Sequence, residues 1–200
     1  MSELPQPSTA RGEATRQKLL AAAEEEFGER GFHGASVSAI TRRAGVAQGT
    51  FYLYFPSKED ILRELVRYMG AQLREALSRA GEGLSQRLEV ERAGFHAFMR
   101  FSLAHKNLYR IVMQSQFVDE AVYREYYRTL AGAYASGLAR AQALGQLRGA
   151  DPETLAWSLM GVAHFLGLRY AIWEDRLPPD EVMAAAFAFI ERGLEPQEPA

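Results

Sequence analysis

Between residues 36 and 60 the chain reads SVSAITRRAGVAQGTFYLYFPSKED, and the chemistry on offer is hydrogen bonding rather than bond making. If Phe51 and Phe55 hold a short helix down, then Gln48, Gly49, Thr50, Tyr52 and Tyr54 face outward, and a surface of Gln, Thr and Tyr suits phosphate oxygens and base edges. Ser36, Ser38, Arg43 and Lys58 flank that helix and are placed to hold phosphates. Reactive chemistry finds no foothold. The chain has no cysteine, no Gly-rich phosphate loop and no Ser–His–Asp order, and no histidine is preceded by Glu at the helical spacing of a di-iron site. We therefore expect no catalytic residue, no metal ligand set and no cofactor.

Two helices at a fixed angle must position those groups. Ser36 can cap the first, where Val37, Ile40 and Ala44 share an apolar face. Gly45 ends it in the left-handed conformation that a sharp corner needs, Val46 plugs the corner, and Gln48 to Tyr54 form a second helix too short to be stable without packing. Pro56 stops that helix. Ser57 with Asp60 resembles a capping box for a long helix from Lys58. Upstream, Leu19, Leu20, Ala23 and Phe27 recur at helical spacing, so a helix from about Gly12 to Arg30, closed by Gly31, covers the pair.

The stretch GVAQGTFYLYFPSKEDIL, with SVSAITRRA before it, resembles the DNA-binding signature of the tetracycline-repressor (TetR) family of bacterial one-component regulators. The likeness runs from about Arg16 to Leu65, with Gly45, Gly49, Thr50, Tyr52, Phe55 and Lys58 at pattern positions. One departure is Ala47, where many members carry a capping Ser or Thr; the loss costs roughly 1 kcal/mol of helix stability.

Composition sets outer limits. The 200 residues are 48% hydrophobic and 24% charged, enough for one domain or two small ones. A net charge of −2 argues against coating nucleic acid by bulk electrostatics, so placement must supply a basic DNA face from Arg11, Arg16, Lys18, Arg42, Arg43 and Lys58. Residues 1–14 lack an apolar run behind a basic start and read as a disordered arm rather than a signal peptide. With the cysteine-free composition this fits a cytoplasmic protein.

The rest of the chain reads as six more helices, giving an all-α protein of about nine helices: a DNA-binding domain over 1–57 including the arm, a ligand-binding and dimerisation domain over 58–194, and a disordered tail over 195–200. Helix four, from Lys58 to about Arg79, is too long for the first domain and acts as the covalent lever between the halves. Helix eight, started by Asp151 and Pro152, is apolar nearly all round to Trp173. Its length would span a membrane, but Ser158, His164, Arg169 and the lack of a second span favour burial on two faces. Its stripe of small residues, Ala156, Ala163, Gly167 and Ala171, is expected to meet a second copy of the chain, together with Val182, Ala186 and Phe189 of helix nine. The family resemblance implies the same pairing, in a four-helix bundle.

Aromatic and methionine stripes in the middle of the chain read first as core. Polar groups among them, His96, His105, Gln114, Gln116, His164 and Arg169, favour a pocket, because buried polar groups are costly unless used. The resemblance implies an inducer site among helices five to eight. The expected ligand-binding residues are Phe95, His96, Met99, Tyr109, Met113, Phe117, Tyr123, Tyr127, Trp157, Met160 and His164, suited to a largely apolar, acyl or aromatic effector. The function so implied is a ligand-responsive regulator, a repressor that binds a near-palindromic operator as a homodimer. A transcriptional activator of the same fold and a helical adaptor without sequence-specific DNA binding are the alternatives.

Overall fold

The structure is a computed structural model and describes residues 9–195. Most of the expected arm, residues 1–8, and most of the expected tail, residues 196–200, lie outside the described residues. The arm gives way to helix sooner than expected. Thr9 accepts from the amide of Gly12 at 3.1 Å and so caps α1 (Ala10–Gly34), which absorbs residues 10–14.

Among the described residues there are nine helices and no strand. Gly31 interrupts α1 with φ +70°, so the helix proper ends where the glycine stop places it and one further turn points elsewhere. Next come α2 (Val37–Ala44), α3 (Gln48–Tyr52), α4 (Lys58–Ala80), α5 (Arg87–Ala104), α6 (Lys106–Ser115), α7 (Glu120–Ala143), α8 (Pro152–Gly167) and α9 (Asp180–Leu194). After Gly167, α8 continues as a widened π turn over Leu168–Trp173. That turn shifts the register. Tyr170 stays buried, but Trp173, placed on the same stripe by a 3.6-residue period, emerges 70% exposed.

Packing sorts the chain into two compact units, residues up to Met69 with Asn107–Tyr126, and Gly70–Lys106 with residues from Tyr127 on. The unit around the helix-turn-helix is thus larger than residues 1–57. It takes in the first half of α4, nearly all of α6 and the start of α7. Leu19, Phe27, Ile40, Phe51, Phe55, Leu62 and Val66 are fully buried there, each worth roughly 1.5–3 kcal/mol in area removed from water. Arg63 of α4 joins Asp60 and Asp119, and the hydrogen bond it donates to Asp119 holds that carboxyl below the ordinary aspartate range.

In the second unit α5 packs on α8 and α9. Phe95, Met99, Leu138, Ala156, Leu159, Met183 and Ile190 form one apolar cluster. The small residues of α8 serve that contact. A Cβ on Gly167 would sit 3.0 Å from the Phe98 ring, and Ala156 and Ala171 are buried at 0% and 1% exposure. The expectation that Ala156, Gly167 and Ala171 meet a second chain is therefore corrected: small side chains let α5 approach within the same chain. Among the residues assigned with them, Ala163, Val182 and Ala186 are half-buried and Phe189 is 70% exposed. The outer faces of α8 and α9 instead border a groove of about 460 Å³ lined by Leu155, Val162, Ala188 and Phe189 among others. The run Pro152–Trp173 is long and apolar enough to cross a membrane by length and composition, but part of it is core of this helical unit.

Candidate nucleic-acid interface and effector region

The corner forms from local signals. The amide of Ala39 donates to Ser36 Oγ at 3.2 Å, which caps α2, and Gly45 closes it at φ +68° with the amide of Val46 bonded to Thr41 O. Ala47 gives α3 no side-chain cap, as its methyl dictates. The helix is one turn of five residues. Leu53 and Tyr54 lie past its end, where expectation had continued the helix. Phe51 and Phe55, both fully buried with ring centroids 5.8 Å apart, fix it from beneath.

The five residues expected to face outward differ in exposure. Gln48 and Gly49 are exposed, Tyr52 is 52% exposed, and Thr50 and Tyr54 are half-buried. A Cβ built on Gly49 meets nothing within 4 Å, so the fold makes no demand for glycine there. Ser36 and Ser38 are exposed and share a 3.0 Å hydrogen bond.

The charged groups divide differently from expectation. Arg43 is exposed, but its guanidinium is already ion-paired within the chain. It binds Glu25 at 2.6 Å, Glu26 at 2.9 Å and Glu29 at 2.7 Å, and these carboxylates raise its pKa further. Arg43 therefore ties α2 to α1, and its place among the phosphate contacts is corrected accordingly: three carboxylates on one face of α1 outcompete solvent for a planar fork. Replacing Arg43 with Ala should lower the melting temperature, because Glu26, 2% exposed, keeps only Arg30 at 3.3 Å. An unchanged melting temperature with weaker binding to every duplex would return Arg43 to the phosphate list. Arg16, unlike Arg43, is buried, bonded to Glu64 and 5.7 Å over the Phe55 ring. Arg11, Lys18 and Arg42 remain exposed.

Lys58 donates to Phe32 O at 2.7 Å and Ala35 O at 2.8 Å. An ammonium has three donors, so these two bonds leave one to offer outward. The Lys58→Ala variant should bind all duplexes more weakly, with a salt slope reduced by about one; an unchanged slope in a salt titration would remove Lys58 from the phosphate contacts.

The expected effector residues fall into both units. Tyr109, Met113, Phe117 and Tyr123 belong to the first, and Phe95, His96, Met99, Tyr127, Trp157, Met160 and His164 to the second. Phe117 is 82% exposed on the turn after α6 and walls nothing within its unit. Tyr109 is buried, which pushes its phenol pKa up. Phe95 and Met99 are plain core. Tyr127, Trp157 and His164 do come together, with Tyr127 stacked 6.4 Å from Trp157 and edge-on to His164 at 6.1 Å. Burial lowers the His164 pKa below the ordinary histidine value. His96 and Met160 are half-buried. Of the other polar candidates, His105 lies on the Phe101 ring, Gln116 is exposed, and Arg169 pairs with Glu174 at 3.0 Å. Gln114 is spent on the amide of Phe32, a contact 82 positions away that no local pattern could signal.

A glycine-closed α2, a one-turn α3 pinned by two phenylalanines and an outward Gln–Gly–Thr–Tyr face define the helix-turn-helix class. Residues 19–65 match the family model of bacterial regulatory proteins, tetR family. That segment is therefore similar to the DNA-binding domain of tetR-family regulators. It is 47% identical over 66 residues to an uncharacterised HTH-type transcriptional regulator, YdgC, of Bacillus subtilis, and 45% identical over 60 residues to that organism's fatty acid metabolism regulator protein. Those matches cover 33% and 30% of this chain and 34% and 31% of the relatives, so the chain spans about a third of the length of the curated relatives it matches. Among solved structures, FadR from Bacillus subtilis in complex with stearoyl-CoA superposes with TM-score 0.77 at 21% identity, over 89% of this chain and 98% of that one. A protein of unknown function from Rhodococcus sp. RHA1 superposes with TM-score 0.77 at 26% identity, over 96% and 100%.

Proposed function

We propose that the chain is a ligand-responsive repressor that binds a near-palindromic operator as a homodimer in the cytoplasm and is released by a small, largely apolar acyl or aromatic effector. The observation that carries the DNA half is α3: five residues held from beneath by Phe51 and Phe55, with Gln48, Gly49 and Tyr52 turned to solvent. Residues 1–57, together with Lys58 at the start of α4, supply the DNA contacts, and the rest of 58–194 the effector and dimer functions. The outer faces of α8 and α9, with exposed Phe165 and Phe189, support pairing with a second copy. A two-fold pair would set its recognition helices about one helical turn, ~34–36 Å, apart.

The effector half rests on the Tyr127, Trp157 and His164 cluster, which brings three aromatic rings together. An acyl effector also agrees with the fatty acid metabolism regulator among the relatives and with stearoyl-CoA in the similar FadR structure. Lys58–Met69 of α4 belong to one unit and Gly70–Ala80 to the other, so a tilt of this helix would report effector binding to the DNA half. Coupling of ~1–3 kcal/mol, roughly 5–150-fold in affinity, would suffice.

Selection from a randomised duplex pool tests the DNA half. An enriched near-palindrome supports it, and a pool that stays random contradicts it. Mass spectrometry of small molecules that co-purify with the chain tests the effector half, with an acyl or aromatic acid derivative expected and a strongly cationic molecule contradicting it. A reporter behind the enriched site, silent with the protein and active without it, separates repressor from activator.

A further inference from the structure

The corner between α1 and α2 is held by side chains from outside both helices. At the break in α1 the amide of Phe32 donates to Gln114 Oε1 of α6 at 2.8 Å, while Phe32 O accepts from Lys58 Nζ. The Lys58 ammonium also lies 4.3 Å from the centroid of the Phe32 ring, which is 4% exposed. Phe32 is thereby fixed through its amide, its carbonyl and its ring. Gly28, one turn earlier on α1, lies so close to α6 that a Cβ there would come within 2.3 Å of Asn107 Cγ and force that side chain to move. Positions 107 and 114 are about two turns apart on α6, so α6 lies along the end of α1 and delivers the Gln114 amide to the break.

We propose that Gln114 is a positioning residue for operator binding. Its side-chain oxygen sets the α1–α2 corner, and with it the direction in which α2 and α3 leave, from a helix outside the helix-turn-helix. This rests on the DNA-binding reading above. Only acceptor character is required at residue 114, since the bond is accepted by Oε1. The side chain touches no DNA in this account, so its loss should alter selectivity rather than general affinity.

The test uses the full chain, a labelled duplex enriched by the wild type from a randomised pool, and a scrambled duplex of the same composition. Gln114→Leu, which removes the acceptor, should lower affinity for the enriched duplex roughly tenfold while binding to the scrambled duplex stays unchanged. Gln114→Glu keeps an acceptor and should bind close to wild type. Three results overturn the proposal: Gln114→Leu binding the enriched duplex as tightly as wild type, Gln114→Glu falling as far as Gln114→Leu, or both duplexes weakening together. If the wild type enriches no sequence at all, the DNA-binding reading falls and this proposal with it.

Discussion

Replacing Phe51 with Ala should cost roughly 3–5 kcal/mol of stability and abolish sequence-specific DNA binding. The ring is fully buried, contacts Phe55 at 5.8 Å, and belongs to a helix of five residues with no capping side chain at its start. One turn of helix cannot hold itself, since nucleation fixes several dihedral angles for a single hydrogen bond. Without the ring, α3 has no anchor. A change of this size in a chain of 200 residues corresponds to a drop of roughly 6–20 °C in melting temperature. Thermal unfolding measures the first effect and a duplex titration at low temperature, where the variant is still folded, measures the second. Wild-type affinity in a folded Phe51→Ala protein would mean that α3 does not read DNA.

The second expectation has opposite signs in its two readouts. Gly49→Ala should raise stability by about 0.5 kcal/mol, because glycine within a helix carries an entropic cost that Ala relieves. The open space around its Cβ position removes any steric objection within the chain. Yet binding to the enriched duplex should fall roughly 10- to 100-fold, the equivalent of losing one good contact at a base or phosphate. A glycine that the fold does not need is explained by what must approach it. Equal affinity for Gly49→Ala and wild type would take the exposed face of α3 out of the interface; lower stability would show that the site is crowded after all.

Local signals in the sequence carried the first sixty residues. Ser36, Gly45, Ala47 and the Ser57–Asp60 pair each act within a turn of where they stand, so their effects are legible from neighbours alone. Helical periodicity likewise placed the remaining helices to within a few residues. What was not legible depends on distance along the chain. Arg43 looks like a phosphate ligand until the three carboxylates of α1, 14 to 18 positions earlier, are brought beside it. Gln114 looks like a pocket residue until Phe32 arrives from 82 positions away. The small stripe of α8 is ambiguous for another reason: alanine and glycine permit close approach to any helix, and the sequence does not say whether that helix is α5 of the same chain or a helix of a second one. The emergence of Trp173 has no signal at all in a 3.6-residue pattern, because the widened turn before it changes the period.

Repression of this kind requires α3 to enter duplex DNA in pairs, and one titration tests that directly. A labelled duplex taken from upstream of the chain's own gene and a scrambled version of it are each titrated at moderate salt, with the mass of the complex read by sedimentation. Saturation is expected at two chains per duplex, with a preference of roughly a thousandfold or more for the native sequence. Equal affinity for the two duplexes, or a saturated complex holding a single chain, would contradict it.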